Sequence, residues 1–452
     1  MLPRFGGLHY GPLRIARNPG DREMTKKLVS AVTCKIGRQV CGAFAGAIAL
    51  GAAPAIAGGI YLTEIGSPYS LGTAASGNVT NYSVVDAAWT NPAGMTGIDG
   101  SEMLVGVQVL IPKVEFESTL AEAGGDDGGN AGAVAAIPSF FYVRPLNERW
   151  RFGLSMVAPF GGGFDFGDNF VGRYAVEEIV LQGVALSPSL AYKVNDKWSI
   201  GFGASITYTL MEMDIAINQS AVGAPDGQVK LEEATDLGFQ PFVGLQWHYS
   251  DNGVFGLVYR AEMEVDLEGD LRIIDLALPL TPQSSFNMGW DNAQLLEIGI
   301  RHRLSDEWTL TVNADWEDWS AFGQNVLSIN DAPAGPVVVT IDRNWKDTYK
   351  FGVGATRDLG NGTHIAFGAA YDTSPVDDAD RTIDLPSDEQ LRLSFAWGRN
   401  VGGRSAWGIG ATWLFLGDGK VDQVAGGQRF VGEFDKNWIL FVGGMYQRRF
   451  GR

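Results

Sequence analysis

The chain has 452 residues, 34 basic against 52 acidic side chains, a formal net charge of −18, 60 glycines, 11% aromatic and only 19% charged residues. So acidic a chain is a poor partner for nucleic acid. Its two cysteines, Cys34 and Cys41, both lie near the N-terminus, which argues against a disulfide framework or a thiolate metal site in the body of the protein.

In chain order, Met24-Thr-Lys26-Lys27 opens a basic stretch that continues through Lys35 and Arg38 into the apolar run Ala43 to Ala57, ending Ala55-Ile56-Ala57. This predicts a secretory signal peptide over 24–57, cleaved near Ala57, with 1–23 a leader upstream of the true start; the run is short and rich in small residues for an anchor helix. Removing 1–57 takes away eight basic and two acidic residues, leaving 26 against 50, a charge of about −24 and no cysteine. No apolar run of 18 or more follows, so the sequence predicts no helical membrane span.

Residues 58–100 are dominated by Gly, Ser, Ala and Asn, and Asp86 to Met95 predicts one short helix ended by Pro92. The segment reads as a hatch that plugs a lumen, or else as a flexible tail.

From residue 101 the apolar period is two, the signature of strands. In 245–267, Leu245, Trp247, Tyr249, Phe255, Leu257, Tyr259, Met263, Val265 and Leu267 fall on odd positions, and Gln246, His248, Arg260, Glu262, Glu264 and Asp266 on even ones, with a turn at Ser250-Asp251-Asn252-Gly253. Trp308 to Trp316, Leu391 to Trp397 and Trp407 to Phe415 alternate in the same way. Six tight turns are predicted, at 147–148, 195–196, 250–253, 305–307, 359–362 and 400–403. Between them lie seven long connections, at 118–135, 161–185, 218–238, 269–292, 320–346, 375–388 and 417–436.

Short and long connections in alternation predict an all-β fold: a 14-stranded antiparallel transmembrane β-barrel over 101–452 with an N-terminal hatch. A soluble sandwich or propeller is disfavoured because several strands run past the usual length and Trp and Tyr gather near strand ends, like an interfacial girdle. The odd face of 245–267 is therefore expected to meet lipid and the even face to line the interior. Closure leaves no unpaired edge in hydrocarbon. The last strand, Asn437 to Phe450, puts Trp438, Leu440, Val442, Tyr446 and Phe450 on one face, resembling the aromatic-ended strand by which such barrels are handed to their assembly machinery, although Gly451-Arg452 follow.

The connection 161–185 carries Phe160, Phe164, Phe166 and Phe170 in a segment expected to sit in water, where exposed rings are costly unless they bind something. These four form a candidate ligand-capture site. Arg173 is placed to pair with a carboxylate head group, or else with Glu177 or Glu178. The acidic runs Asp126-Asp127 and Asp377-Asp378-Asp380 are candidate cation sites bridging lipopolysaccharide, or else solvated loop tips. No metal or cofactor is assigned. No G-x-S-x-G occurs and only His248, His302 and His364 follow residue 57, so no catalytic residues are assigned and the chain is read as a non-enzyme.

Several stretches together resemble one family, the FadL-like long-chain fatty acid and hydrocarbon transporters of Gram-negative outer membranes. Asn91-Pro92-Ala93-Gly94-Met95 looks like the NPA motif of that family's hatch. Leu186 to Gly201 is similar to its fourth and fifth strands, and Asp315 to Phe322, Asn344 to Tyr349, and Tyr371 to Val376 with Asp380-Arg381-Thr382 and Leu385-Pro386 match its later barrel segments. The resemblance implies a monomeric outer-membrane barrel closed by a hatch containing Asn91, Pro92 and Ala93. It further implies capture of an apolar ligand among external loops, transfer to a site beside the hatch, and lateral release through the wall.

Passive uptake of hydrophobic small molecules, most of all long-chain fatty acids, is therefore the expected function. Aromatic hydrocarbon or alkane uptake by the same family is the first alternative, and a general porin or structural barrel the second. The expected partners are the hydrophobic cargo, membrane lipid with lipopolysaccharide, and the assembly machinery.

Overall fold

The computed structural model describes residues 61–451 apart from 66, 278–282 and 330–336; the segments expected to be a leader and a signal peptide cleaved near Ala57 lie outside the described residues.

Three of the tight turns share one construction. The Asn147 side-chain oxygen accepts from the backbone N–H groups of Arg149 and Trp150, both at 2.9 Å, and Asn195 accepts from those of Lys197 (2.8 Å) and Trp198 (2.9 Å). The Ser305 hydroxyl does the same for Glu307 and Trp308. In each case a side chain replaces a backbone turn acceptor, and the tryptophan that follows opens the next strand at the membrane interface. At residues 360–362 the turn is made by three consecutive residues with positive φ, Gly360, Asn361 and Gly362.

These turns and the longer connections join nineteen strand segments. They are β1 (Ser101–Ala121), β2 (Ala135–Pro145), β3 (Trp150–Asp165), β4 (Glu178–Lys193), β5 (Trp198–Ile217), β6 (Gly227–Ser250), β7 (Gly253–Arg260), β8 (Met263–Ile274), β9 (Gln283–Asn292), β10 (Leu295–Arg303), β11 (Trp308–Glu317), β12 (Gln324–Ile329), β13 (Val337–Asp342), β14 (Thr348–Gly360), β15 (Thr363–Asp372), β16 (Gln390–Val401), β17 (Ser405–Phe415), β18 (Val421–Ala425) and β19 (Gln428–Phe450). Their pairing closes a ring of 14 antiparallel strands: β1 to β7 in order, then β10, β11, β14, β15, β16, β17 and β19, which returns to β1 with Ser101 opposite Phe450. The remaining segments continue the same strands above the membrane. The expected barrel and its turns are therefore present, but the external connections are shorter than predicted, because the strands run on past the bilayer. The connection expected at 161–185, for example, spans only 166–177.

Outward positions of the ring carry the exposed apolar side chains, among them Ile200, Phe202, Val243, Phe351, Leu393, Ile409 and Val442, with Trp198, Trp247, Trp308 and Trp407 near the turns. Trp198 and Trp247 stack across β5 and β6 at 5.4 Å. An apolar band edged by aromatic rings is what a strand wall in lipid requires.

One expectation about this wall is corrected. Odd residues of 245–259 do face outward, but Met263, Val265 and Leu267 are buried in the interior, while Glu264 and Glu268 face out. The strand breaks at Ala261–Glu262 and resumes one residue out of phase; its neighbour breaks at Ala293–Gln294 and also inverts, from even-inward in β9 to odd-inward in β10. Below the breaks the outside is lipid and must be apolar. Above them the outside is water, so the charged face turns outward and the apolar face inward.

The hatch fills the lumen with two short helices, Pro68–Gly72 and Ala87–Thr90, and 3-10 turns at Asn78–Thr80 and Pro92–Gly97. Pro92, expected to end the helix, begins the second 3-10 turn, with Asn91 as its cap. Polar wall residues hold the hatch: Ser76 bonds Thr311 (2.8 Å), Thr96 bonds Ser199 (2.8 Å), Gln246 donates to the Asn81 carbonyl (2.7 Å), and Thr412 to that of Leu71 (3.0 Å). Arg392 of β16 pairs with Glu64 at 2.7 Å and with Asp372.

Candidate functional site

The NPA tripeptide sits at a close hatch-to-wall contact. Asn91 accepts from the Ala93 N–H (3.1 Å) and donates to the carbonyls of Val79 (2.7 Å) in the hatch and Leu245 (3.2 Å) in β6. The wall there is glycine because there is no room for more: a Cβ at Gly201 would stand 2.5 Å from the Ala93 nitrogen, and one at Gly244 would overlap the Asn91 side chain.

Above the hatch lies a large buried apolar cluster. Phe160, Phe164, Phe166 and Phe170 are all in it, so the four rings expected to sit in water are buried, Phe160 and Phe164 as part of β3. Phe166 stacks on Phe170 at 4.4 Å, and Phe170 meets Phe116 edge to face at 5.8 Å. Trp290, Trp319, Phe322 and Trp345 form a second group of rings, with Trp319 reaching Tyr61 of the hatch at 5.0 Å and Phe322 reaching Trp345 at 4.7 Å. Met263, Val265, Phe286 and Met288 close the wall between them.

Arg173 lies outside this chamber, in the loop that caps it. Its guanidinium pairs with Asp226 at 2.8 Å, not with Glu177 or Glu178, and donates to the carbonyls of Gly124 (3.0 Å), Phe170 (3.2 Å) and Ala123 (3.3 Å). It thus ties three external loops together. A similar clamp joins Arg343 and Asp384 through two bonds of 2.9 and 2.7 Å, and the buried guanidinium holds the Asp384 carboxyl below its ordinary range despite burial. The acidic runs are also engaged in loop contacts. Asp126 accepts from Asn169 (2.9 Å), Asp377 from Lys346 (2.5 Å) and Asp380 from Asn344 (2.8 Å), and among the described residues no group of side chains is arranged to hold a metal ion. A depression of about 370 Å³ at the external rim, outside the apolar chamber, is lined by the charged Asp378, Lys420, Asp422 and Glu433 together with Thr119, Ala379, Val421 and Val431.

The floor of the chamber is polar, which the sequence reading did not anticipate. Arg260, at the end of β7, lies between the rings of Trp89 (4.1 Å) and Phe242 (4.6 Å) and donates Nη2 to the Trp89 carbonyl, while its Nη1 has no hydrogen-bond partner among the described residues. Asn292, beside the break in the adjacent strand, accepts from Trp290 Nε1 at 3.0 Å and leaves its amide N–H groups unpartnered and buried. Tyr61 donates to the Ala293 carbonyl at 2.6 Å, and its burial pushes the phenol pKa up. Glu297 is an acid that acts on the Arg260 charge.

The wall parts between β2 and β3. Pairing of β2 with β3 stops at Phe140 opposite Met156, although β2 begins at Ala135 and β3 continues to Asp165. Above that point β3 turns to other partners: Phe160 bridges Tyr61, the Leu62 N–H donates to the Pro159 carbonyl at 2.8 Å, and Phe164 bridges Gly132. Pro138 and Pro159 stand on the two parted strands, and neither has an N–H to offer a ladder.

The closed 14-strand ring agrees with a family comparison. The model of the outer membrane protein transport protein family (OMPP1/FadL/TodX) matches residues 48–448. The chain belongs to this family. It is 24% identical over 406 residues to the long-chain fatty acid transport protein of Salmonella typhi (84% of this chain, 89% of that one) and 20% identical over 385 residues to outer membrane protein P1 of Haemophilus influenzae (74% and 83%). Among solved structures, a Pseudomonas aeruginosa FadL homologue superimposes with a TM-score of 0.79 at 22% identity, covering 87% of this chain and 100% of that one. The Ralstonia pickettii toluene transporter TbuX gives 0.66 at 17%, covering 86% and 99%. At these identities the structures establish the shared fold of an outer-membrane FadL/TodX barrel.

Proposed function

We propose that this FadL/TodX-family barrel takes up long-chain fatty acids passively. The observation that carries the reading is the pair of buried donors at the base of an apolar chamber, Arg260 Nη1 and Asn292 Nδ2, both without an acceptor. A carboxylate would satisfy both, with its acyl chain among the rings above. A buried donor left unsatisfied costs about 1–3 kcal/mol, which such a ligand recovers. Each methylene moved out of water contributes about 0.8 kcal/mol, so capture needs no energy source.

In this mechanism the cargo enters between the external loops and settles above the hatch. Displacement of Tyr61 and Leu62 from β3 then frees the parted β2–β3 seam for lateral exit. The relatives named as long-chain fatty acid transport proteins support the same class of cargo. The reading needs no cofactor and no catalytic step. It places the protein among outer-membrane lipid and lipopolysaccharide as a monomer, delivered by the assembly machinery through the aromatic-ended β19.

A second reading, aromatic hydrocarbon uptake, draws on the ring-lined wall of Trp290, Trp319, Phe322 and Trp345 and on the toluene transporters that share the fold. One experiment separates the two. A deletion strain carrying the native protein or Arg260→Met is assayed for uptake of labelled oleate and labelled toluene. The proposal expects oleate uptake with the native protein, lost at least tenfold in the variant. Toluene uptake without oleate uptake would establish the second reading instead.

A further inference from the structure

We infer that the turn-side rim of the barrel, over the sector from β16 through β19 and β1 to β2, is a binding surface for the phosphodiester head groups of anionic phospholipids in the inner leaflet. Arg144, Arg399 and Arg448 lie at the ends of β2, β16 and β19 and Arg404 in the turn before β17; all four are largely exposed. Arg399, Arg448 and Arg144 fall on the outward alternation of their strands, continuous with Phe395, Tyr446 and Tyr142.

Three observations point to phosphate rather than to bulk water. First, none of these four arginines has a carboxylate partner. Other basic side chains of the rim do: outside the sector Arg357 pairs with Glu307 at 3.0 Å and Lys193 with Asp196 at 2.8 Å, and within it Arg449 pairs with Glu102 at 2.6 Å. In the sector, Arg144, Arg399 and Arg404 have no side-chain hydrogen bond or ion pair among the described residues, and Arg448 meets only hydroxyls, that of Ser405 at 2.8 Å and that of Tyr446. In a chain with 52 acidic against 34 basic side chains, four neighbouring guanidiniums without a carboxylate are a local reversal of charge.

Second, three of them, Arg399, Arg448 and Arg144, lie beside aromatic rings of the interfacial girdle. Arg399 is opposite Trp407 in the β16–β17 ladder, and Trp407 is opposite Tyr446, two residues before Arg448. Tyr142 precedes Arg144 by the same spacing and is opposite Met103, itself opposite Arg448. Rings at that level mark where the hydrocarbon ends, so the guanidiniums one step further out stand in the head-group layer.

Third, a guanidinium in that layer costs little to place and forms charge-assisted, two-pronged bonds with phosphate oxygens. A basic side chain near an anionic lipid surface gains about 1 kcal/mol.

The test uses the full-length barrel, exchanged into mixed micelles of detergent with equal phosphatidylglycerol and phosphatidylcholine, the retained lipids being counted by native mass spectrometry. The inference expects phosphatidylglycerol enriched about fivefold, the equivalent of 1 kcal/mol, with the preference falling as salt is raised and surviving 10 mM inorganic phosphate. The variant R144Q/R399Q/R404Q/R448Q should lose the preference while keeping the heat-modifiable gel shift of a folded barrel; if it does not fold, the pair R399Q/R404Q should show a partial loss. Equal retention of the two lipids, a preference unchanged in a folded variant, or abolition of the preference by phosphate at that concentration would each overturn it.

Discussion

Asn91 in the hatch and Leu245 in β6 are joined by a 3.2 Å hydrogen bond from side chain to wall carbonyl, across 154 residues of sequence. The same amide donates to Val79 at 2.7 Å, so one side chain fixes both the hatch's own fold and its seat in the barrel. Replacing it breaks two roles at once. Asn91→Ala should leave the strand ring intact but lower the stability of the hatch by about 1–3 kcal/mol, the cost of stranding buried carbonyls. Planar-bilayer conductance to small ions should rise in the variant, and in Gly244→Val, where a side chain would meet the Asn91 amide. Conductance equal to the native protein in both would mean that the hatch does not depend on this corner.

Asp86 should make hatch packing depend on pH. It is buried, and one of its carboxylate oxygens accepts from Asn81 at 3.2 Å. Burial pushes its pKa up to about 6 against the bonds from Ser67 and its own backbone, from 3.8 in the unfolded reference. A carboxyl raised on folding contributes stability that is fully present below pH 3.8 and lost as pH rises through about 6. The hatch should therefore be tighter at pH 5 than at pH 7.5, by roughly 1.4 kcal/mol. Hydrogen exchange of amides 67–100 measures this directly. Asp86→Asn should show the acid-state protection at both pH values; a variant that keeps the native pH dependence would locate the titrating group elsewhere.

The phase inversion at Ala261–Glu262 can be read by chemical labelling, because the chain after residue 57 has no cysteine of its own. With an impermeant maleimide on whole cells, Glu264→Cys and Glu268→Cys should label quickly, and Val265→Cys and Leu267→Cys at least tenfold more slowly. Labelling of Leu257→Cys should be blocked by lipid. A strand that kept one phase throughout would give Val265 and Leu257 the same environment.

The phenylalanine chamber couples stability to capture. Phe164→Ser with Phe166→Ser removes two buried rings, each worth about 3 kcal/mol or more in a packed core. Melting of the external region should move down by several degrees, and cargo uptake at low concentration should fall about tenfold, while the ring of strands still forms. Undiminished uptake would assign capture to the second group of rings, around Trp319 and Trp345.

The loop clamp between Arg343 and Asp384 is the last of these. Breaking a buried pair strands a charge and typically costs 3–5 kcal/mol. Asp384→Asn should therefore free the connection 373–389, seen as faster proteolysis there at neutral pH. In the native protein the carboxyl lies below its ordinary value, so the clamp should hold above the unfolded range and fail only as pH falls through that lowered value. Proteolysis of the variant at the native rate would show that the loop is held by other contacts.

The period-two alternation, the Asn and Ser turns and the spacing of Trp and Tyr are local properties, and they determine that the chain is a barrel of fourteen strands with lipid on one side. The Asn-Pro-Ala corner is picked out by resemblance to a family motif; the role of Asn91 as a cap that also bonds the wall appears only in the folded chain. Periodicity carries no record of a break that skips a phase, so the alternation of 245–267 runs on unbroken in sequence while Met263 and Val265 change sides in space. Nor could local pattern predict that Arg173 would meet Asp226, or that Arg260 would lie between Trp89 and Phe242, because those meetings depend on strands brought together only when the ring closes. Closure fixes which solvent each face meets, and only then does a side chain's position become a site.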